Sequence, residues 1–263
     1  MHIVVCVKQV PDTAEVRIDA ERGTLVREGV PSILNPLDAH AVEAAVALRE
    51  KLGKGRVTAL SMGPPQALAA VRECIARGCD GGVLLTDRAF AGADTWSTSY
   101  TLACAVRSLG DVGLVLCGKQ AIDGDTAQVG PELAAHLGWP QVTYARRLKA
   151  DAEGRLVVER LTDYGNETVR VEPPAVVTAL KDLNVPRLPS LHSQMRARRA
   201  EPDRWGPGRI DGDAEEFGLN GSPTRVKRVF TPPPRGECTR LEGEPDHVAA
   251  RLAEVLIARR NAP

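Results

Sequence analysis

The sequence predicts the α/β class: a mostly parallel sheet flanked by helices, with antiparallel strands added late and an extended C-terminal arm that ends in a helix. Three observations carry this expectation. Apolar runs at residues 3–7, 57–62, 83–85 and 114–117 are too short for helices and suit strands buried on both faces. Stretches with apolar residues at helical spacing lie between and after them, so strand and helix alternate as far as Leu137. From Gln141 onward, strand-like runs are joined by turn signals alone, the pattern of antiparallel hairpins.

The first run, 3–7, leads into an excursion in which VRID and TLVR flank residues 20–23 as a β-hairpin, closed by residues 32–36. Asn35 before Pro36 marks a helix start, an N-cap side chain ahead of a proline at the first helical position. Ala39, Val42, Ala45, Val46 and Leu52 make its buried face, and Gly53 and Gly55 end it. Residues 57–62 give the second strand, Gly63-Pro64 a turn, and 67–77 a helix closed by Gly78, where a left-handed cap costs little. Residues 83–85 give the third strand, followed by the loop DRAFAGADT and a helix over 95–108. After the strand at 114–117, Val129, Leu133, Ala134 and Leu137 form one face of another helix. Strands then follow at 141–148, 156–161, 168–171 and 175–180, around turns at 151–154 and 163–166.

From Asn184 the character changes. Pro186, Pro189, Pro202, Pro207, Pro223 and Pro232 to Pro234 alternate with glycines and charges. The division expected is therefore an α/β domain over 1–183 and, over 184–263, an extended arm that needs a partner surface. Residues 245–260, with Val248, Leu252, Val255 and Leu256, read as a terminal helix whose basic end suits its dipole. Arg196, Arg198 and Arg199 are either a solvated basic run or a site for an acidic partner.

Composition removes several functions. Lys plus Arg and Asp plus Glu both number 34, so no general field attracts nucleic acid, and 3% aromatic residues give little for bases to stack on. The six cysteines form no CxxC pair and read as reduced core residues. The five histidines lack metal spacing, so no metal site is expected. The amino-terminal apolar run is too short for a signal peptide and no stretch reaches membrane-spanning length, which implies a cytoplasmic setting. The phosphate-loop, GxGxxG and GxSxG signatures are missing, and no side chain is assigned as catalytic acid, base or nucleophile. Any redox chemistry then falls to a bound cofactor.

Two stretches look like a binding site. In LVLCGKQAIDGDTAQVGP a strand ends at Gly118, a polar loop carries Asp123, Gly124, Asp125 and Thr126, and a helix follows. An open α/β sheet places its ligand at such a strand end, with helix-terminal amides facing anionic groups. Asp123 and Asp125 are either a carboxylate pair for acid/base work or Mg²⁺, or simply the stabilisers of the turn. Around the later helix start, Asp94, Thr95, Ser97, Thr98 and Ser99 supply more hydrogen-bonding side chains than a cap requires.

The segments VVCVKQVPDT, NPLDAHAVEAA, LSMGPP, DRAFAGADTWSTS and CGKQAIDGDTAQVGP, in this order, closely resemble the β subunit of electron-transfer flavoproteins. The resemblance runs from Met1 to about Arg199 and is strongest to the bifurcating and nitrogen-fixation-associated Fix-type group. It implies a nucleotide-binding, Rossmann-like fold. It also implies that Cys6, Asn35, Met62 and the loop from Gly118 through Asp123, Gly124, Asp125, Thr126, Ala127 and Gln128 to Val129 hold the adenosine and phosphates. Asp94, Thr95 and Thr98 would lie near a flavin ring, and Leu191 would insert into a partner dehydrogenase.

The function this implies is that of a heterodimer's β subunit binding FAD, with NADH as electron donor. One electron would pass to a ferredoxin or flavodoxin, the other through the FAD of an α subunit to an acyl-CoA-type dehydrogenase or quinone oxidoreductase. A membrane would be reached only through such a partner. The alternative is a non-bifurcating subunit holding AMP structurally beside an α subunit that carries the only FAD.

Overall fold

A computed structural model of the chain describes residues 1–12, 17–18, 25–26, 31–227 and 240–260. Its first element, β1 (His2–Cys6), is buried throughout, with Ile3 and Val5 in one core layer and Val4 and Cys6 in the other. That two-sided burial is why the run shows no polar alternation. β2 (Gln9–Pro11) pairs antiparallel with β5 (Ser32–Leu34), and β3 (Arg17–Ile18) with β4 (Leu25–Val26). The turn expected between the latter two lies outside the described residues.

α1 (Pro36–Leu52) begins with Pro36 at its first position and ends at Gly53, whose φ of +66° favours glycine. One expectation fails at its start. Asn35 occupies the N-cap position but makes no side-chain cap hydrogen bond. β6 (Arg56–Met62), α2 (Leu68–Ala76) and β7 (Gly81–Leu85) follow. α2 does not close in the left-handed cap expected at Gly78: Arg77 remains right-handed and Gly78 has φ +119°. A Cβ there would sit 2.9 Å from Val46 Cγ1, so close packing on α1 is what asks for a glycine.

The chain continues through α3 (Thr95–Leu109), β8 (Val112–Gly118), α4 (Val129–Leu137), β9 (Gln141–Ala150), β10 (Leu156–Thr162), β11 (Gly165–Val171) and β12 (Ala175–Ala179). With β13 (Asp203–Trp205), the described strands of the main sheet run β11-β10-β9-β12-β8-β1-β6-β7-β13. From β9 across to β13 every pairing is parallel, and only β9–β10 and β10–β11 are antiparallel. α1 and α2 cover one face through Val42, Ala45, Val71 and Ile75. α3 and α4 cover the other through Leu102, Val106, Leu133 and Ala134. The chain runs outward from β1 to β7 and then returns to β8 on the far side of β1. The loops leaving β1 and β8 therefore diverge and leave a crevice at their carboxyl ends.

The arm expected from Asn184 is corrected by the structure. α5 (Leu191–Arg199) packs on α2 with Ala197 buried, and β13 joins the sheet beside β7. Trp205, Ile210 and Phe217 are buried in the layer beneath α3. One compact unit runs from Met1 to Arg228, and a second, Val229 to Pro263, contains α6 (Pro245–Arg260). The division thus falls at 228/229 instead of 183/184. Prolines do prevent a separate core here, but three large apolar side chains let the segment share the core of the sheet. Its start is held by Arg187, which donates from Nε to Glu43 Oε2 (2.8 Å) and from Nη1 to Glu50 Oε1 (2.7 Å). Those bonds to Glu50 and Glu43 raise its already high pKa. Arg196 is no free cation either: it donates to the Ile75 carbonyl (2.9 Å) at the end of α2. No helix among the described residues is long and apolar enough to cross a membrane.

Candidate functional site

A cleft of about 1200 Å³ opens where β1, β6 and β8 end. Cys6, Leu60, Met62 and Cys117 line it from the strands, and the segment 118–130 forms one wall. Residues 86–95 and Thr98 line it from the side of α3, and Thr224 and Val226 complete it.

The crevice is held together at its root by Asp38, in the first turn of α1. Its Oδ2 accepts from the Lys8 amide (2.8 Å) and its Oδ1 from the Gly118 amide (3.2 Å), so one carboxyl joins the ends of β1 and β8. Burial pushes its pKa up to about 7, against the opposing pull of bonds from Asn35, Lys8 and Gly118. Gly118 is required by the same approach. A Cβ on it would lie 2.3 Å from Asp38 Oδ1 and 2.8 Å from the Leu37 carbonyl carbon.

The loop beyond Gly118 is shaped from below. Asn35, fully buried, donates from Nδ2 to the Gln120 carbonyl (2.9 Å) and accepts the Ile122 amide at Oδ1 (3.2 Å). This is why it does not cap α1. Asp123 pairs with Lys8 (2.8 Å), and the Gln120 side-chain amide donates to Asp125. Asp125 and Ala127 have φ of +54° and +56°, while Gln128 is right-handed. A left-handed residue followed by a right-handed one turns successive amides to one side, a concavity that favours anions, here at the start of α4. The amides of Thr126, Ala127 and Gln128 have no partner among the described residues. Lys119 and Arg88, which also line the cleft, make no ion pair among the described residues.

Of the residues assigned to this loop, Gly118, Gly124, Thr126, Ala127, Gln128 and Val129 line the cleft. Asn35, Asp123 and Asp125 do not: their polar atoms are spent on the loop's own shape. Asn35→Asp is accordingly expected to put a carboxylate oxygen against the Gln120 carbonyl. That mismatch costs about 1–3 kcal/mol and should speed amide hydrogen exchange across residues 120–128 while leaving α1 protected. Unchanged exchange in that loop would remove Asn35 as its support.

The second assigned cluster divides. Asp94 caps α3, its Oδ1 accepting the Ser97 amide (3.1 Å), while Oδ2 accepts the Thr224 amide (2.9 Å) and hydroxyl (2.7 Å). Its partial burial works to raise the pKa, but the bonds from Thr224 and Ser97 prevail and hold it below the usual carboxylate value. With both oxygens engaged, the carboxylate is occupied by protein although the residue lines the cleft. The Ser97 hydroxyl donates to the Glu216 carbonyl (2.9 Å) and Ser99 to the Trp96 carbonyl (2.8 Å). Thr95 lines the cleft and donates to Glu132 Oε1 on α4 (3.2 Å), which links the two helix starts. Thr98 also lines it, and its hydroxyl has no partner among the described residues.

Lys8, Asp38, Gly63, Arg88, Lys119 and Thr224 border the cleft without having been assigned a role from sequence. All but Thr224 lie within the five family-like segments, which was the available signal; nothing in the sequence marked Thr224. Leu191 lies outside the cleft, at the start of α5, where it is 80% exposed.

Comparison with known proteins bears on this site. Residues 22–207 match the family described as the electron transfer flavoprotein domain. The electron transfer flavoprotein subunit beta of Clostridium acetobutylicum is 52% identical over 237 residues, covering 90% of each chain. The caffeyl-CoA reductase-Etf complex subunit CarD of Acetobacterium woodii is 48% identical over 236 residues, again 90% of each. Protein FixA of Azorhizobium caulinodans is 47% identical over 244 residues, 90% of this chain and 86% of that one. The expectation from the five segments is met: the chain belongs to the electron-transfer flavoprotein family, as a β subunit of the group that includes the Fix proteins.

Proposed function

We propose that the cleft holds FAD and that this β subunit, paired with an α subunit, takes part in flavin-based electron bifurcation. The observation that carries the reading is the extent of the cleft. At about 1200 Å³ it exceeds the roughly 300–1,000 Å³ of ordinary small-molecule sites. It reaches from the free amides at Thr126 to Gln128 across to Thr98, Pro64 and Arg88. A dinucleotide uses that span, whereas AMP would leave much of it unfilled.

The residues fit such a ligand. The amides of Thr126, Ala127 and Gln128, with Lys119, suit a pyrophosphate. Cys6, Leu60 and Met62 offer apolar surface to an adenosine, and the free hydroxyl of Thr98 can hydrogen-bond the polar edge of a flavin ring. Apolar walls exclude water from that region. The chemistry supplied by a bound FAD is hydride uptake from NADH followed by release of single electrons. One goes to a ferredoxin or flavodoxin, the other through the α-subunit FAD to an acyl-CoA-type dehydrogenase or quinone reductase. The residues of this chain bind and orient; none is assigned a proton transfer. The name of the CarD relative, a subunit of a caffeyl-CoA reductase complex, supports a dehydrogenase-type acceptor.

The test is a nucleotide count after mild denaturation of the purified heterodimer. Two FAD per heterodimer are expected, and one FAD with one AMP would return the cleft to a structural role. Bifurcation itself is read by acceptor dependence: NADH should reduce a low-potential acceptor only while a high-potential acceptor is present.

A further inference from the structure

We propose that the segment following Ser222 is the gate through which the nucleotide enters and leaves the cleft, and that Asp94 is its latch. The proposal rests on the reading that the cleft holds a nucleotide, but not on which one.

Up to Ser222 the segment is firmly attached. The Asp213 amide donates to the Tyr100 hydroxyl (2.9 Å), the Ser97 hydroxyl to the Glu216 carbonyl (2.9 Å), and the Leu219 amide to the Ala91 carbonyl (3.0 Å). Phe217 is buried edge-on against Phe90, with ring centroids 5.4 Å apart. Contact is too close for side chains at two points: a Cβ on Gly218 would lie 2.2 Å from the Ala89 carbonyl oxygen, and one on Gly221 2.0 Å from that of Glu216. Ser222 finishes the attachment, donating to the Gly218 carbonyl (2.7 Å) and accepting the Asp94 amide (2.9 Å).

Beyond Ser222 the situation reverses. Among the described residues, the hydrogen bonds that hold this stretch are the two from Thr224, and both end on Asp94 Oδ2. Arg225, Val226 and Lys227 are exposed and make no hydrogen bond among the described residues. Yet Thr224 and Val226 line the cleft. A short length of chain, fixed at one end and fastened beyond it to a single carboxylate oxygen, therefore forms part of the ligand's enclosure.

Two bonds that share one acceptor oxygen are lost together. Opening gives Thr224 and Oδ2 to water, which replaces the bonds at small net cost. Oδ1 meanwhile keeps its bond to the Ser97 amide, so α3 retains its cap while the gate moves. Asp94 is thus a positioning residue for the cleft, acting through Thr224.

Asp94→Asn separates latch from cap. Asparagine caps a helix as well as aspartate does, but it presents an NH₂ to the Thr224 donors. Thr224→Val removes the hydroxyl bond and keeps the amide bond. The full chain, purified with its α subunit, is loaded with radiolabelled FAD, or with radiolabelled AMP if that is the nucleotide it retains. The Asp94→Asn variant should release and rebind label at least about tenfold faster than the parent, the factor expected from losing one charge-assisted hydrogen bond in the closed state. Thr224→Val should shift both rates in the same direction by a smaller factor, and it is the deciding variant should Asp94→Asn fail to fold. Unchanged rates overturn the gate. Faster release with unaltered association also overturns it, because that is the signature of a wall contact and not of a barrier to entry. A heterodimer that retains AMP and no second FAD defeats the FAD reading alone, and the gate is then decided with AMP.

Discussion

Gly118→Ala is expected to give a poorly stable chain that retains no nucleotide. The added methyl would meet Asp38 Oδ1 at 2.3 Å and, more importantly, the backbone of Leu37 and Asp38 at 2.8 Å. Backbone cannot swing aside as a side-chain tip can. Overpacking in a well-filled interior costs about 1–3 kcal/mol and occasionally more, and a backbone collision belongs at or above the top of that range. Relief would require α1 and β8 to separate, which breaks the Asp38 bond to the Gly118 amide and shifts the loop that leads to the free amides. Urea unfolding should show the loss of stability, and the nucleotide content of the purified variant the loss of binding. Parental stability together with parental nucleotide content would mean that α1 and β8 do not approach as described.

Asp38→Asn should be nearly as damaging, for a different reason. The carboxyl presents two acceptors to two backbone amides, whereas asparagine offers one acceptor and turns an NH₂ on the other. One amide, of Lys8 or of Gly118, is left unpaired inside the protein at about 1–3 kcal/mol. The variant also carries a pH signature. Burial raises the folded-state pKa of Asp38 from 3.8 to about 7, so between those values the folded chain keeps a proton that the unfolded chain has lost. The stability due to this group is therefore greatest below 3.8 and declines as pH rises through the folded value, by up to roughly 1.4 kcal/mol per unit. Asparagine does not titrate. The stability difference between parent and variant should narrow from pH 4 to pH 7 in urea titrations, and parallel curves would show that Asp38 does not carry the proton.

The layered core was largely legible in the sequence because strands buried on both faces have to be apolar runs. β1, β6 and β8 were visible for that reason, and α1, α3 and α4 through the spacing of their apolar positions. β13 was not. Its residues, Asp203, Arg204 and Trp205, carry no strand pattern, and pairing with β7 is what makes them a strand. The same holds within the site. Asp38 reads in sequence as an ordinary acid in the first turn of a helix, and only the arrival of Gly118, eighty residues on, buries it. Asp123 and Asp125 drew attention because acids in a glycine turn can serve either ligand or loop; Lys8 and Gln120 decide for the loop. Short-range chemistry could mark where a ligand would lie, but which polar atoms stay free for it depends on partners far away in the chain.

The two ends of the main sheet have a consequence for how this subunit can meet others. β11 carries Asn166, Glu167 and Arg170 along a largely exposed strand, and β13 at the opposite end has only three residues. Charge on one border and brevity on the other are the usual safeguards against aggregation by strand addition. Assembly by continuing the sheet into a neighbouring molecule is thereby discouraged at both borders. Helices and loops are left as the surfaces through which a heterodimer would form, and a concentrated preparation should stay free of fibrillar by-products.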